Sequence, residues 1–329
     1  MVAKCAVLCY TFCMSDIIGH TSILSFFAQA SLRGQLSHAY CFVGPSSVGK
    51  RTVAVQLAAT MLRVSPEKLA THPDYFFVSQ ERNDKTQEMK KNIDVEQVRT
   101  LRSALNRRPY LGSSIVVVMD EAEKMNRHAA NALLKITEEP GTYVTLFFVA
   151  KSADALPATI RSRCQMIHFY PVSGIEIAHG LTKRGMESTK AALFAKEASG
   201  LPGLALQWLV EPDQYAAYQA EVARFCALVG VPLYAKLQAV EDLFGDKKDH
   251  IGTRETLSQV LSVWEGLIRE ALYGHYGLMG EVVHELSHIT RLAPLSLVRV
   301  WKQIVQTKKF LEQNIHPRLL VEQVLLALP

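Results

Sequence analysis

An α/β domain built on a parallel sheet, followed by two all-helical segments, is the architecture the sequence predicts, and three features predict it. Apolar runs without polar alternation recur through the first half of the chain, as strands buried on both faces require, and they alternate with stretches of helical period. A glycine-rich loop, GPSSVGKRT, links the first of these runs to a helix, the usual setting of a phosphate cradle. After Pro171 the apolar runs largely stop and helical spacing continues to the end.

The elements follow in order. The strand AYCFVG precedes the loop and the helix TVAVQLAATML follows it. Next come HPDYFFV as a strand, VEQVRTLRSAL as a helix, SSIVVVMDEA as a strand, NRHAANALLKITEEP as a helix and YVTLFFVAK as a strand. The polar, mixed-sign run at 79–92, SQERNDKTQEMKKN, reads as a solvated loop. The α/β domain therefore covers 14–171, a small helical segment 172–211 and a longer helical segment 212–329. In the last of these, TLSQVLSVWEGLIREAL and PRLLVEQVLLAL carry apolar residues at helical spacing. Leu319, Leu320, Val324 and Leu328 form either a contact face or part of that segment's own core.

Composition bounds the function classes. With 329 residues, 49% hydrophobic and 20% charged, the chain can build two or three cores. A formal charge of +5 permits nucleic-acid contact without demanding it. The cysteines, at 5, 9, 13, 41, 164 and 226, include no C-x-x-C pair and no zinc-type cluster, which points to a reducing, cytoplasmic setting. No apolar run reaches the roughly 20 residues a membrane span needs. Residues 1–13, MVAKCAVLCYTFC, read as a frayed tail or start-site artefact ahead of a natural start at Met14.

The loop sets the chemical question. Gly44 and Gly49 allow close approach of a phosphate, and Lys50 reaches the β- and γ-phosphates. The residue after the lysine normally offers a hydroxyl to magnesium, but here it is Arg51. Thr52 is no simple substitute, since adjacent helical residues point about 100° apart. Downstream, Asp120 ends an apolar strand where it can face magnesium, and Glu121 can orient a water; alternatively the two carboxylates cap the next helix.

An ordered series of segments carries a resemblance: DIIGH, LSHAYCFVGP, THPDY, IDVEQVR, ANALLKITEEP, the tripeptide Ser162-Arg163-Cys164 and SGLPGLAL. Together they resemble the clamp-loader branch of the AAA+ ATPases. The resemblance implies an AAA+ P-loop domain, a helical lid over 172–211 and a helical collar for ring assembly over 212–329. It implies that Arg163 is an arginine finger completing the ATP site of a neighbouring subunit, a role suited to a permanently charged guanidinium. Without that series, Arg163 would read as a structural ion pair at a helix end. Arg161 is either a second anion contact or a solvated charge, and Cys164 is a packed thiol.

Departures from the motor-type members are equally informative. Gly203 stands where the motors carry a sensing arginine, and Lys151 and Ser152 where they carry threonines. The four zinc-binding cysteines of many relatives are absent from MLRVSPEKLATHPD, so no metal site is expected. The resemblance thus implies a stationary subunit with weak or no ATPase activity. Its partners would be motor ATPase subunits, a clamp-opening subunit, the sliding clamp and primed DNA, with no membrane. Lys50, Asp120 and Thr52 keep weak binding of magnesium-ATP open, and an ATP-hydrolysing motor subunit is the alternative.

Overall fold

The computed structural model describes residues 17–81, 92–138, 141–244, 250–277, 289–311 and 315–329. The tail at 1–13, the start at Met14 and most of the polar run at 79–92 lie outside them. The chain forms two compact units, Met1–Leu209 and Val210–Pro329.

In the first unit, helix α1 (Thr21–Leu32) leads into β1 (Ala39–Val43), and the glycine-rich loop then opens α2 (Lys50–Leu62). The short α3 (Pro66–Leu69), β2 (Tyr75–Val78), α4 (Val95–Leu105) and β3 (Ile115–Met119) follow. The unit continues with α5 (Arg127–Glu138), β4 (Val144–Ala150), the one-turn α6 (Ala158–Arg161) and β5 (Gln165–His168). Helices α7 (Gly174–Lys183), α8 (Ser188–Glu197) and α9 (Pro202–Val210) account for the segment expected to form the lid, and they fall in this unit almost entirely.

The five strands pair in parallel in the order β2-β3-β4-β1-β5. Because side chains alternate along a strand, each buried strand feeds two cores. Cys41, Val117, Leu146 and Phe148 point to one face and pack with Val98 and Leu101 of α4 and Leu133 and Ile136 of α5. Tyr40, Phe42, Val116, Val118 and Phe147 point to the other and pack with Phe27 of α1 and Val53 and Leu57 of α2. That double burial is why β1, β3 and β4 are apolar at every position or nearly so. On the second face Phe27 meets Tyr40 edge-on at 4.7 Å between centroids, and Phe42 meets Phe147 at 5.4 Å.

Strand β5 and helix α1 escape the sequence reading, as do the one-turn helices α3 and α6. Strand β5, QMIH, is an edge strand with exposed ends, so it lacks the continuous apolar run by which the other strands are legible. Helix α1 buries only Leu24, Phe27 and Ala30, and its exposed face also carries apolar residues, which blurs its period.

The second unit is helical where described: α10 (Pro212–Leu228), α11 (Leu233–Phe244), α12 (His250–His275), α13 (Pro294–Leu311) and α14 (Pro317–Ala327). Its core centres on Trp264, which lies against Phe225 at 5.2 Å and donates its indole N–H to Glu221 at 2.7 Å. Leu320, Val324 and Leu328 of the C-terminal apolar face belong to this core, whereas Leu319 is exposed. Among the described residues, no helix is long and apolar enough to cross a membrane.

Candidate functional site

The strand order reverses at β1, which lies between β4 and β5, and the loop after β1 opens at this switch point. Ligands of open α/β sheets bind in such crevices, beyond the carboxyl ends of the strands. Gly49, at φ 108°, turns the chain into α2, a conformation open to glycine at little cost. His20 braces the loop from the side: its Nε2 lies 2.8 Å from the Val48 carbonyl oxygen, its ring packs edge-on against Phe169, and burial lowers its pKa.

Lys50 does not extend outward. Its ammonium donates to the carbonyls of Gly44 at 2.7 Å and Pro45 at 2.6 Å, and the residue is only 7% exposed. Burial pulls its pKa down to about 8, against the attraction of Glu123 and Asp120. A triphosphate would have to draw the ammonium off these two carbonyls.

Arg51 resolves the oddity of the loop. Its guanidinium lies 3.5 Å from Asp120 Oδ2 and 4.8 Å above the centre of the Phe77 ring on edge strand β2. Asp120 also accepts the N–H of Glu121 at 3.1 Å. Burial raises the Asp120 pKa, and the Arg51 charge opposes that rise. The cation beside this carboxylate is thus part of the protein. With Arg51 in the hydroxyl's place, Asp120 engaged and Thr52 exposed on the helix, the residues present do not form the hydroxyl-plus-carboxylate set that holds magnesium in P-loop enzymes. Glu121 sits just beyond β3 in the left-handed region, at φ 47°, and opens a single 3-10 turn, Ala122–Lys124.

A second contact ties the loop down. Gly203, in the first turn of α9, donates its N–H to the Ser47 carbonyl at 2.8 Å, which satisfies one of the N–H groups a helix start leaves over. A Cβ added at Gly203 would lie 2.7 Å from that same oxygen. The position expected to carry a sensing arginine in a motor therefore has no room for a side chain in this arrangement.

Arg163 lies away from the cradle, in the turn between α6 and β5. Its guanidinium donates to Thr159 O at 2.8 Å and to Glu138 Oε1 at 2.7 Å. Arg161 pairs separately with Asp154 at 2.7 Å. Cys164 packs at the edge of the core, and burial pushes its thiol up to about 12. Among the described residues, no group of three His, Cys, Asp or Glu is arranged to hold a metal ion.

Gly44, Gly49 and Lys50 follow the carboxyl end of β1, and Asp120 and Glu121 that of β3, whereas Arg163 precedes the amino end of β5, at the opposite end of the parallel strands. The parts that sequence reasoning misses are Phe77, His20, the Ser47–Gly203 bond and Glu138. Each acts through a partner at least 25 residues away, which no local pattern marks.

Comparison with known proteins shows what the first part of the chain resembles. Residues 19–173 match the family model described as DNA polymerase III, delta subunit. The delta' subunit of DNA polymerase III from Pseudomonas aeruginosa is 38% identical over 165 residues, covering 46% of this chain and 48% of that protein. The delta' subunit from Escherichia coli is 34% identical over 148 residues, covering 45% and 42%. The tau/gamma subunit from Haemophilus influenzae is 32% identical over 203 residues, covering 56% and 29%. The match therefore spans less than half of each of these relatives. A solved gamma subunit-related protein from Thermotoga maritima aligns over 91% of this chain and 97% of its own at 16% identity, with a TM-score of 0.43. The cradle, the Asp120-Glu121 strand end and the Ser162-Arg163-Cys164 turn all lie inside the matched segment, and through residues 19–173 the chain is similar to the delta and delta' subunits of DNA polymerase III.

Proposed function

We propose that this chain is a clamp-loader subunit of the delta' type: a stationary member of a ring that loads a sliding clamp onto primed DNA. It hydrolyses no ATP itself and donates Arg163 to the ATP site of a neighbouring motor subunit. The observation that carries this reading is the pairing of Arg51 with Asp120, which puts a built-in cation where a hydrolytic site needs a metal. The bond from Gly203 to Ser47 supports it, because it fastens the lid helix α9 to the loop whose relative movement a nucleotide-driven motor would use.

In this reading the finger acts by charge. A guanidinium placed near a transferring phosphoryl group stabilises the charge on its equatorial oxygens, and elsewhere this is worth about 10³ to 10⁵ in turnover at the site concerned. The partners are motor subunits on one side and a clamp-opening subunit on the other, with DNA held through its backbone by the assembled ring.

The second reading, a motor subunit, is favoured by the retained Lys50, Asp120 and Glu121 and by the match to a tau/gamma subunit. DNA-stimulated ATP turnover of the reconstituted loader carrying Arg163→Ala distinguishes finger from ornament. A lowered turnover with the ring intact is expected; unchanged turnover at saturating primed DNA would remove Arg163 from the reaction.

A further inference from the structure

Arg163 is held by its own chain, and the manner of holding assigns a role to a second residue. Its NH1 group donates to the Thr159 carbonyl at 2.8 Å and lies 3.5 Å from the Ser162 hydroxyl, while NH2 donates to Glu138 Oε1 at 2.7 Å. A guanidinium has five N–H donors in one rigid plane. These three bonds leave two donors, the Nε–H and one proton on NH2, that no described residue accepts.

The two main anchors come from different elements. Thr159 belongs to the one-turn α6 that precedes the finger, whereas Glu138 is the last residue of α5 and lies 25 positions earlier in the chain. Helix α5 is fixed against the sheet by Ala129, Leu133 and Ile136, all in the core. Fastening one end of the guanidinium to α5 and the other to α6 fixes the plane of the fork relative to the sheet. One anchor alone would leave the long side chain free to rotate.

Side-chain exposure of 34% for Arg163 and 46% for Glu138 leaves the pair open to an approaching surface. An exposed pair of this kind contributes little to folding. Its worth lies in orientation, because Arg is otherwise rich in rotamers and loses that freedom on engaging an anion.

We propose that Glu138 is a positioning residue for the arginine finger: it holds the Arg163 guanidinium with its two remaining N–H donors turned outward for a phosphate on a neighbouring subunit. This rests on the reading of Arg163 as a finger, and it adds a residue in α5 that does not touch the reacting atoms itself.

The test uses the reconstituted loader with primed DNA, measuring kcat and KM for ATP with Glu138→Ala, Glu138→Gln, Arg163→Ala and the double variant Glu138→Ala/Arg163→Ala. Glu138→Ala should lower kcat about 2- to 5-fold at the affected site with KM unchanged, the range an exposed pair can supply. Glu138→Gln keeps an acceptor oxygen and should restore most of that loss. The double variant should be no slower than Arg163→Ala alone, because Glu138 acts only through Arg163. A further loss in the double variant would make Glu138 a structural residue and overturn the proposal. Unchanged or raised turnover in Glu138→Ala, with Arg163→Ala impaired, would overturn it while leaving the finger standing. If Arg163→Ala is itself without effect, the finger reading fails first and the proposal falls with it.

Discussion

Single residues decide what the cradle can do. Arg51 and Gly203 stand where the sequence resemblance expects a hydroxyl and a sensing arginine, and each is built into its surroundings. Arg51 gains a carboxylate and an aromatic face, and Gly203 gains a backbone bond that a side chain would obstruct. Restoring an arginine by Gly203→Arg should therefore damage the protein instead of reviving a sensor. The new Cβ would meet backbone, not a yielding side chain, so overpacking of about 1–3 kcal/mol is expected. A thermal melt should show Tm lowered by several degrees, and a Tm equal to the parent's would mean that α9 moves off the loop freely. The sequence makes the absence of the arginine legible. It does not make the contact legible, because the partner, Ser47, lies in a loop more than 150 residues earlier.

Elements are legible to the degree that their environment is uniform. Strands β1, β3 and β4 sit inside the sheet, and their unbroken apolar runs announce them. Helix α4 announces itself differently: Asp94 and Gln97 form a reciprocal capping box at its start, beneath a clear amphipathic period. At β5 the signal fails: this edge strand, QMIH, is polar and exposed at both ends, whereas the other edge strand, β2, keeps the apolar run YFFV and is read. Fixed loops are harder still. Asp74, almost fully buried ahead of β2, accepts the N–H groups of Tyr110 at 2.7 Å and Leu111 at 2.8 Å, and so fastens the turn that leads into β3. Asp74→Ala leaves both donors unpaired and should cost about 2–4 kcal/mol, read as a lower urea midpoint at unchanged slope. A midpoint within error of the parent's would show that water replaces the carboxylate without penalty.

On the scale of the whole molecule, the chain is two compact units with separate cores, one organised on a parallel sheet and one on Trp264. The first presents two kinds of charge chemistry in different places: a cradle in which Arg51 faces Asp120, and the half-exposed pair of Arg163 with Glu138, for which we propose the finger role. In the stationary reading proposed above the two are complementary, since a chain that spends no ATP can still govern ATP use next door. Lys50 is the residue on which that division turns, because the motor reading requires its ammonium on phosphate and the stationary reading leaves it on the carbonyls of Gly44 and Pro45. The most direct measurement is the DNA-stimulated ATP turnover of the reconstituted loader with Lys50→Ala in this chain, set beside the parent assembly. A stationary subunit leaves the two turnovers equal; a clear fall with the ring intact would contradict that role and make GPSSVGKRT a working nucleotide site.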